Sequence, residues 1–202
     1  MSGIPKRLSA DERRLATVEA VVELAAKKSP SEITTTTIAT HMGLTQGALF
    51  RHFPTKMAIL ESVMDSVSRR LLSRVDKAIH GTSSPLEALE AVFIAHIDFI
   101  SAHPGIPKIV FAELQSSDDT LPKRIVRGLL QRYRLKVEKL LQQAREKEEL
   151  HSCVDISAAS VLFIGTIQGL VMQSLLAGDF DQMRVNAPRV FSIYRRGIAA
   201  FD

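Results

Sequence analysis

The stretch 34–56, TTTTIATHMGLTQGALFRHFPTK, decides the fold. Thr34 to Thr37 carry hydroxyls that can accept from the unpaired N–H groups of a helix start, so a helix is expected to begin there. Ile38, Ala39, Met42 and Leu44 suit its inward face. Gly43 stands where a chain leaving a helix often takes positive φ, which ends that helix at His41 or Met42. Thr45 can then cap a second short helix through Gln46, Gly47, Ala48, Leu49, Phe50, Arg51 and His52. Pro54 closes it, because the residue before a proline is pushed out of the helical region. Two short helices joined by a tight glycine-bearing turn make a helix-turn-helix, whose second helix enters the DNA major groove.

Within this stretch the run 44–56, LTQGALFRHFPTK, resembles the TetR family of bacterial transcription regulators, most of whose members carry a Leu-Tyr-x-His-Phe-x-x-Lys core. Leu49, His52, Phe53 and Lys56 fill its specified places. Phe50 stands where the family mostly has Tyr, so a hydroxyl that often reaches a phosphate in relatives is missing, and only an apolar contact carries over. The resemblance implies an all-α fold: an N-terminal three-helix DNA-binding domain over 1–56, then a C-terminal helical ligand-binding and dimerisation domain over 57–202. The motif covers about a quarter of the chain, and the remainder resembles the family in helical layout.

Charge agrees with this division. The formal net charge is +4, and residues 1–56 contribute eight basic against five acidic side chains, leaving +1 for the rest. A basic excess beside the helix-turn-helix favours a polyanionic partner, since neutralising phosphates supplies most of non-specific DNA affinity. Cys153, the single cysteine, cannot close an internal disulfide, and no Cys/His cluster has zinc spacing, so no metal or cofactor is expected and a reducing cytoplasm, at the nucleoid, is the expected location. The N-terminus lacks a signal-peptide core. The longest apolar stretch, 161–176, is interrupted by polar residues and short of the ~20 residues that span a bilayer, so no membrane helix is expected.

Outward from the motif, 1–10 reads as a basic arm, with Lys6 and Arg7 available to phosphate or the minor groove. A first helix is expected from 9 or 10 to 28, opened by a Ser9/Glu12 capping box, with Leu15, Val18, Val21, Val22, Leu24 and Ala25 as its buried stripe. A long helix follows over 55–79. The GTSSP loop at 81–85 then separates the mechanical from the sensory part. Helices are expected over 86–102, over 106–115 (largely buried) and over 121–149, the last with Ile125, Leu129, Leu130, Leu135, Val137, Leu140 and Leu141 inward. The basic residues of that last helix, Lys123 to Lys136, read as a solvated face balanced by acids. Two final helices are expected over 156–177 and 182–201. The first is apolar around most of its circumference, which one core face cannot bury, so a partner surface is implied.

Candidate site residues follow. Thr45, Gln46 and Gly47 open the recognition helix, where side chains meet base edges: Gln can bond adenine bidentately, Thr can touch a thymine methyl, and Gly permits close approach. Ala48 and Phe50 lie on the same short helix. Thr35, Thr36, Thr37, Arg51, His52 and Lys56 suit phosphate through hydroxyls, charge or a helix N-terminus. The family resemblance further implies a small apolar effector held among the middle helices, with Phe93, His96, Ile97, Ile100, Phe111, Leu114, Tyr133 and Gln168 as candidate lining. It also implies a homodimer through the last two helices, with Gly165, Gly169, Met172, Leu176, Val190 and Ile193 as candidates. No nucleophile elbow, phosphate loop or HExxH stretch is present, and no catalytic residue is assigned. His96, His103, Glu113 and Cys153 have no spacing that demands a common site.

The expected function is therefore not enzymatic: a ligand-responsive transcriptional repressor that binds a pseudopalindromic stretch of double-stranded DNA as a homodimer. The middle segment HPGIPKIVFAELQ also resembles the branch of the family that contains a nucleoid-occlusion factor. A DNA-bound protein that recruits a partner is the alternative.

Overall fold

A computed structural model describes residues 9–200, and among these residues the fold is helical throughout. The basic-arm residues Lys6 and Arg7, and Phe201 of the last expected helix, lie outside the described residues.

The first helix, α1 (Ala10–Lys27), opens with Ser9 and Glu12 capping each other reciprocally. Burial begins at Thr17 and runs along Val18, Val21, Val22 and Ala25. Leu15, expected in that stripe, is 53% exposed, because its turn lies before the buried segment starts. A 3₁₀ turn (Pro30–Glu32) leads into α2 (Thr35–His41) and α3 (Gln46–Phe50). Between those two, Gly43 adopts φ of +65°, and the Leu44 N–H donates to the Ala39 carbonyl at 2.8 Å, closing the helix end. Ile38, Leu49 and Phe53 are buried in a hydrophobic core that also takes in Val18 and Val21 of α1 and is continuous with that of the helices that follow.

The next helix, α4 (Lys56–His80), is capped by Thr55 and buries Ile59, Val63, Val67, Leu71 and Val75 at helical spacing. It packs against α5 (Pro85–Ala102) and α7 (Leu121–Glu146). Between these lies α6 (Gly105–Leu114), which packs on α1. The 106–115 segment was expected to be largely buried, but only its first half is. Leu114 is exposed at its end, and Val110 and Phe111 are half-buried because they face a cavity.

Helix α7 ends three residues earlier than its apolar pattern suggests. Glu148 takes φ of +58°, and the chain reverses so that the Glu149 carboxylate accepts from Ser84 Oγ at 2.8 Å and Leu86 N at 3.0 Å. Leu130 and Leu135, expected inward on α7, are exposed, since the buried faces of the helix run through Val126, Leu129, Tyr133, Val137 and Leu141. The basic residues of α7 hold local partners: Arg124 and Arg127 face Asp119, Arg132 donates to Ser68, Arg134 pairs with Glu138 and Lys136 with Asp76.

The last two helices are α8 (Ile156–Ala177) and α9 (Asp181–Ile198). By length and composition alone α8 is long and apolar enough to cross a membrane, a test that a core helix also passes. Its inner face nevertheless packs in the bundle, on α5, α7 and α9. Phe163 meets Phe93 edge-on at 5.5 Å, and Tyr194 donates to the Ala159 carbonyl at 3.1 Å. Its outer face carries Val161, Leu162, Met172 and Leu176 to the surface, joined by Val185 and Ile193 from α9.

Candidate DNA-reading head and ligand cavity

Three helix starts, each capped by a threonine, fall within 22 residues. Thr34 Oγ1 accepts from Thr37 N at 3.1 Å, Thr45 Oγ1 from Ala48 N at 3.2 Å, and Thr55 Oγ1 from Ala58 N at 3.1 Å. Each threonine satisfies one of the backbone donors that a helix start leaves unpaired. On this frame Thr36, Thr45, Gln46, Gly47, Phe50, Arg51 and Lys56 are exposed, while Thr35, Thr37, Ala48 and His52 are half-buried. Gln46 Nε2 donates to Thr35 Oγ1 at 2.7 Å, which brings the starts of α2 and α3 together. A Cβ added at Gly47 would meet nothing within 4 Å, so α3 is open to an approaching surface there.

The head is joined to the body by close contacts. Gly105 opens α6 directly against α1: a Cβ there would lie 2.1 Å from the Val22 carbonyl oxygen. Lys108 Nζ donates to the Ala26 carbonyl at 2.8 Å. From α4, Arg70 donates to Glu19 of α1 at 2.5 Å and to His103 Nε2 at 2.8 Å. His103 Nδ1, carrying the proton, donates to the Phe99 carbonyl at 2.8 Å. None of Gly105, Lys108 or Arg70 was a sequence candidate. The Pro-Gly pair at 104–105 was the available signal for a tight joint.

The body encloses a cavity of about 130 Å³. Six sequence candidates line it together: His96, Ile100, Phe111, Leu114, Tyr133 and Gln168. Phe93 and Ile97 do not. They are fully buried on another face of α5, Phe93 against Phe163 and Phe191, because the four-residue step from Phe93 to Ile97 follows a ridge turned away from the one bearing His96 and Ile100. Met64, Val67 and Leu71 of α4 and Ile106 and Val110 of α6 also line the cavity, so the two helices that touch the head form part of its wall. Their apolar character was legible, but the face they present was not.

His96 Nδ1 lies 3.2 Å from the Tyr133 hydroxyl, and their rings are 5.3 Å apart. Burial pushes the His96 imidazole down to about 4 and the Tyr133 phenol up, so both are uncharged near neutrality. His103, Glu113 and Cys153 hold separate partners: His103 with Arg70, Glu113 with Thr120, and Cys153 Sγ with His151 Nδ1 at 3.0 Å. No group of three or more His, Cys, Asp or Glu side chains among the described residues could hold a metal ion.

The dimer candidates lie on the outer face of α8 and α9. Leu176, Met172, Ile193 and Gly165 are exposed, and Gly169 and Val190 are half-buried.

Comparison with known proteins places two family descriptions side by side on this chain. "Bacterial regulatory proteins, tetR family" matches residues 18–63, and "YsiA-like protein, C-terminal region" matches residues 65–194. Among curated proteins, "Nucleoid occlusion factor SlmA" of Marinomonas sp. (strain MWYL1) is 22% identical over 161 residues, covering 80% of this chain and 82% of its own. Among solved structures, the fatty acid degradation regulator FadR from Bacillus halodurans superposes with a TM-score of 0.81 at 17% identity, covering 98% of both chains. FadR from Bacillus subtilis in complex with stearoyl-CoA gives 0.79 at 19% identity, covering 91% of this chain and 98% of its own.

Proposed function

The chain belongs to the TetR family of bacterial regulatory proteins, and from that premise we propose that it is a transcriptional repressor whose hold on a pseudopalindromic operator is set by a small apolar effector. Residues 1–56 read DNA, residues 57–202 bind the effector and dimerise, and the protein acts in the cytoplasm at the nucleoid. Thr45, Gln46 and Gly47 meet base edges, with Ala48 and Phe50 in apolar contact; Thr35, Thr36, Thr37, Arg51, His52 and Lys56 hold phosphates. The outer face of α8 and α9 pairs with its copy, which sets two recognition helices roughly 34–36 Å apart, one turn of DNA.

A single observation carries the effector half of this reading. The cavity wall includes Met64, Val67 and Leu71 of α4 and Ile106 and Val110 of α6, and these are the helices that follow α3 and press on α1. An occupant that prefers one placement of them prefers one spacing of the reading heads. It shifts DNA affinity only by that preference. The stearoyl-CoA held by a structurally similar regulator supports an apolar occupant.

A second reading is favoured by the curated relatives described as nucleoid occlusion factors: a DNA-bound protein that recruits a partner. Genome-wide mapping of bound sites separates the two. A few sites overlapping promoters support the repressor; many scattered sites without promoter bias support the recruiter.

A further inference from the structure

We propose that the cavity selects ligands whose enclosed part is uncharged and apolar and bears one hydrogen-bonding oxygen, a hydroxyl or a carbonyl, which docks on the His96–Tyr133 pair. This rests on the cavity being an effector site and names the class of effector.

The lining decides the class. Apart from His96, Tyr133 and Gln168 its walls are aliphatic, aromatic or proline side chains, and no Asp, Glu, Lys or Arg reaches the cavity. A carboxylate, phosphate or ammonium held inside would leave water with no opposite charge to meet it, and an unpaired buried ion is strongly disfavoured. A bare hydrocarbon would fit the walls but leave the polar pair unused.

The pair itself is matched to a neutral oxygen. His96 Nδ1 and the Tyr133 hydroxyl share one hydrogen bond at 3.2 Å. If Nδ1 carries the imidazole proton it donates to the phenolic oxygen, which leaves the Tyr133 O–H as donor and Nε2 as acceptor. In the other tautomer the phenol donates to Nδ1, leaving Nε2–H as donor and the phenolic oxygen as acceptor. Either way one donor and one acceptor remain, the complement of a hydroxyl, and the donor alone suits a carbonyl. Burial keeps His96 in this neutral form. The exposed lining residues Leu114, Leu130 and Gln168 mark the mouth, so the polar pair, buried at Tyr133, lies inward of it.

Rigid probes test this, because a cage cannot leave its polar group trailing in solvent. The full-length wild-type protein is titrated at pH 7.5 with 1-adamantanol, 2-adamantanone, adamantane-1-carboxylate and 1-adamantylammonium, reading melting temperature and heat of binding. The alcohol and ketone are expected to raise the melting temperature and to bind about 100-fold more tightly than either ion. Tyr133→Phe, with folding checked by circular dichroism, is expected to weaken the alcohol about tenfold. Equal binding of an ion, or binding of none of the four by folded protein that still holds DNA, overturns the assignment. Release of a mapped operator by a charged probe would overturn the neutral class while leaving the ligand-responsive regulator standing. A protein with no specific DNA sites would remove the regulator and leave the probe result to stand alone.

Discussion

Nε2 of Gln46 donates to Oγ1 of Thr35 across 2.7 Å, joining the first residue of α3 to the first residue of α2. The bond aims the Gln46 amide while leaving its carbonyl oxygen and second N–H free for a base edge. Gln46→Ala is therefore expected to reduce discrimination at one operator position by ~1–3 kcal/mol with little loss on unrelated DNA. Lys56→Ala, at the exposed start of α4, is expected to weaken every sequence alike and to lower the salt slope by about 1. Binding titrations against the operator and its single-base variants, over a salt series, measure both. Uniform losses for both variants would sink this division of labour.

Gly105 lets the start of α6 pack directly on the backbone of α1. An added Cβ would meet the Val22 carbonyl oxygen at 2.1 Å and the Ala26 nitrogen at 2.8 Å, and backbone cannot rotate away. Gly105→Ala is expected to push α6 off α1 and destabilise the fold by ~1–3 kcal/mol. The ratio of operator affinities with and without a bound ligand should fall with it. Urea unfolding and operator titration read these out, and unchanged stability would show that the joint yields more easily than its geometry implies.

Leu176 is 82% exposed and Ile193 is 63% exposed on one apolar face. Such a face on an isolated chain is expected to be covered by a copy of itself. Leu176→Glu combined with Ile193→Glu should give a folded monomer by sedimentation velocity, with helical content kept and operator affinity reduced by at least tenfold. A persistent dimer would move the interface elsewhere.

His96 couples stability to pH. Burial holds its imidazole at about 4, whereas an unfolded histidine titrates near 6.5. Between those values the unfolded chain binds a proton that the folded protein refuses. The stabilisation is therefore complete above about pH 6.5 and declines as pH falls toward 4, by no more than ~1.4 kcal/mol per pH unit. His96→Gln removes the titration, and its urea midpoint should fall less steeply than wild type between pH 6.5 and 4.5. Identical slopes would assign the acid sensitivity to other groups.

Local chemistry determined the head. Threonine hydroxyls cap the helix starts that follow them and Gly43 takes the positive φ that ends α2, through interactions spanning a few residues that any reader of the stretch 34–56 can place; α3, expected to run through His52 to a stop at Pro54, ends instead at Phe50. The two-sided apolar character of α8 was equally plain, because periodicity is a property of one helix. The tertiary structure alone decided the rest. Phe93 and His96 are three residues apart on α5, yet one is sealed among Phe163 and Phe191 and the other faces the cavity, since that outcome depends on which helix covers each face. Leu135 follows the apolar rhythm of α7 and is still 58% exposed, while Leu130 sits at the rim of the cavity, because which face of the helix is covered depends on its neighbours. The Gly105 approach to Val22 and the pairing of His96 with Tyr133 join residues 83 and 37 positions apart, distances over which sequence pattern carries no geometry and only packing brings atoms together.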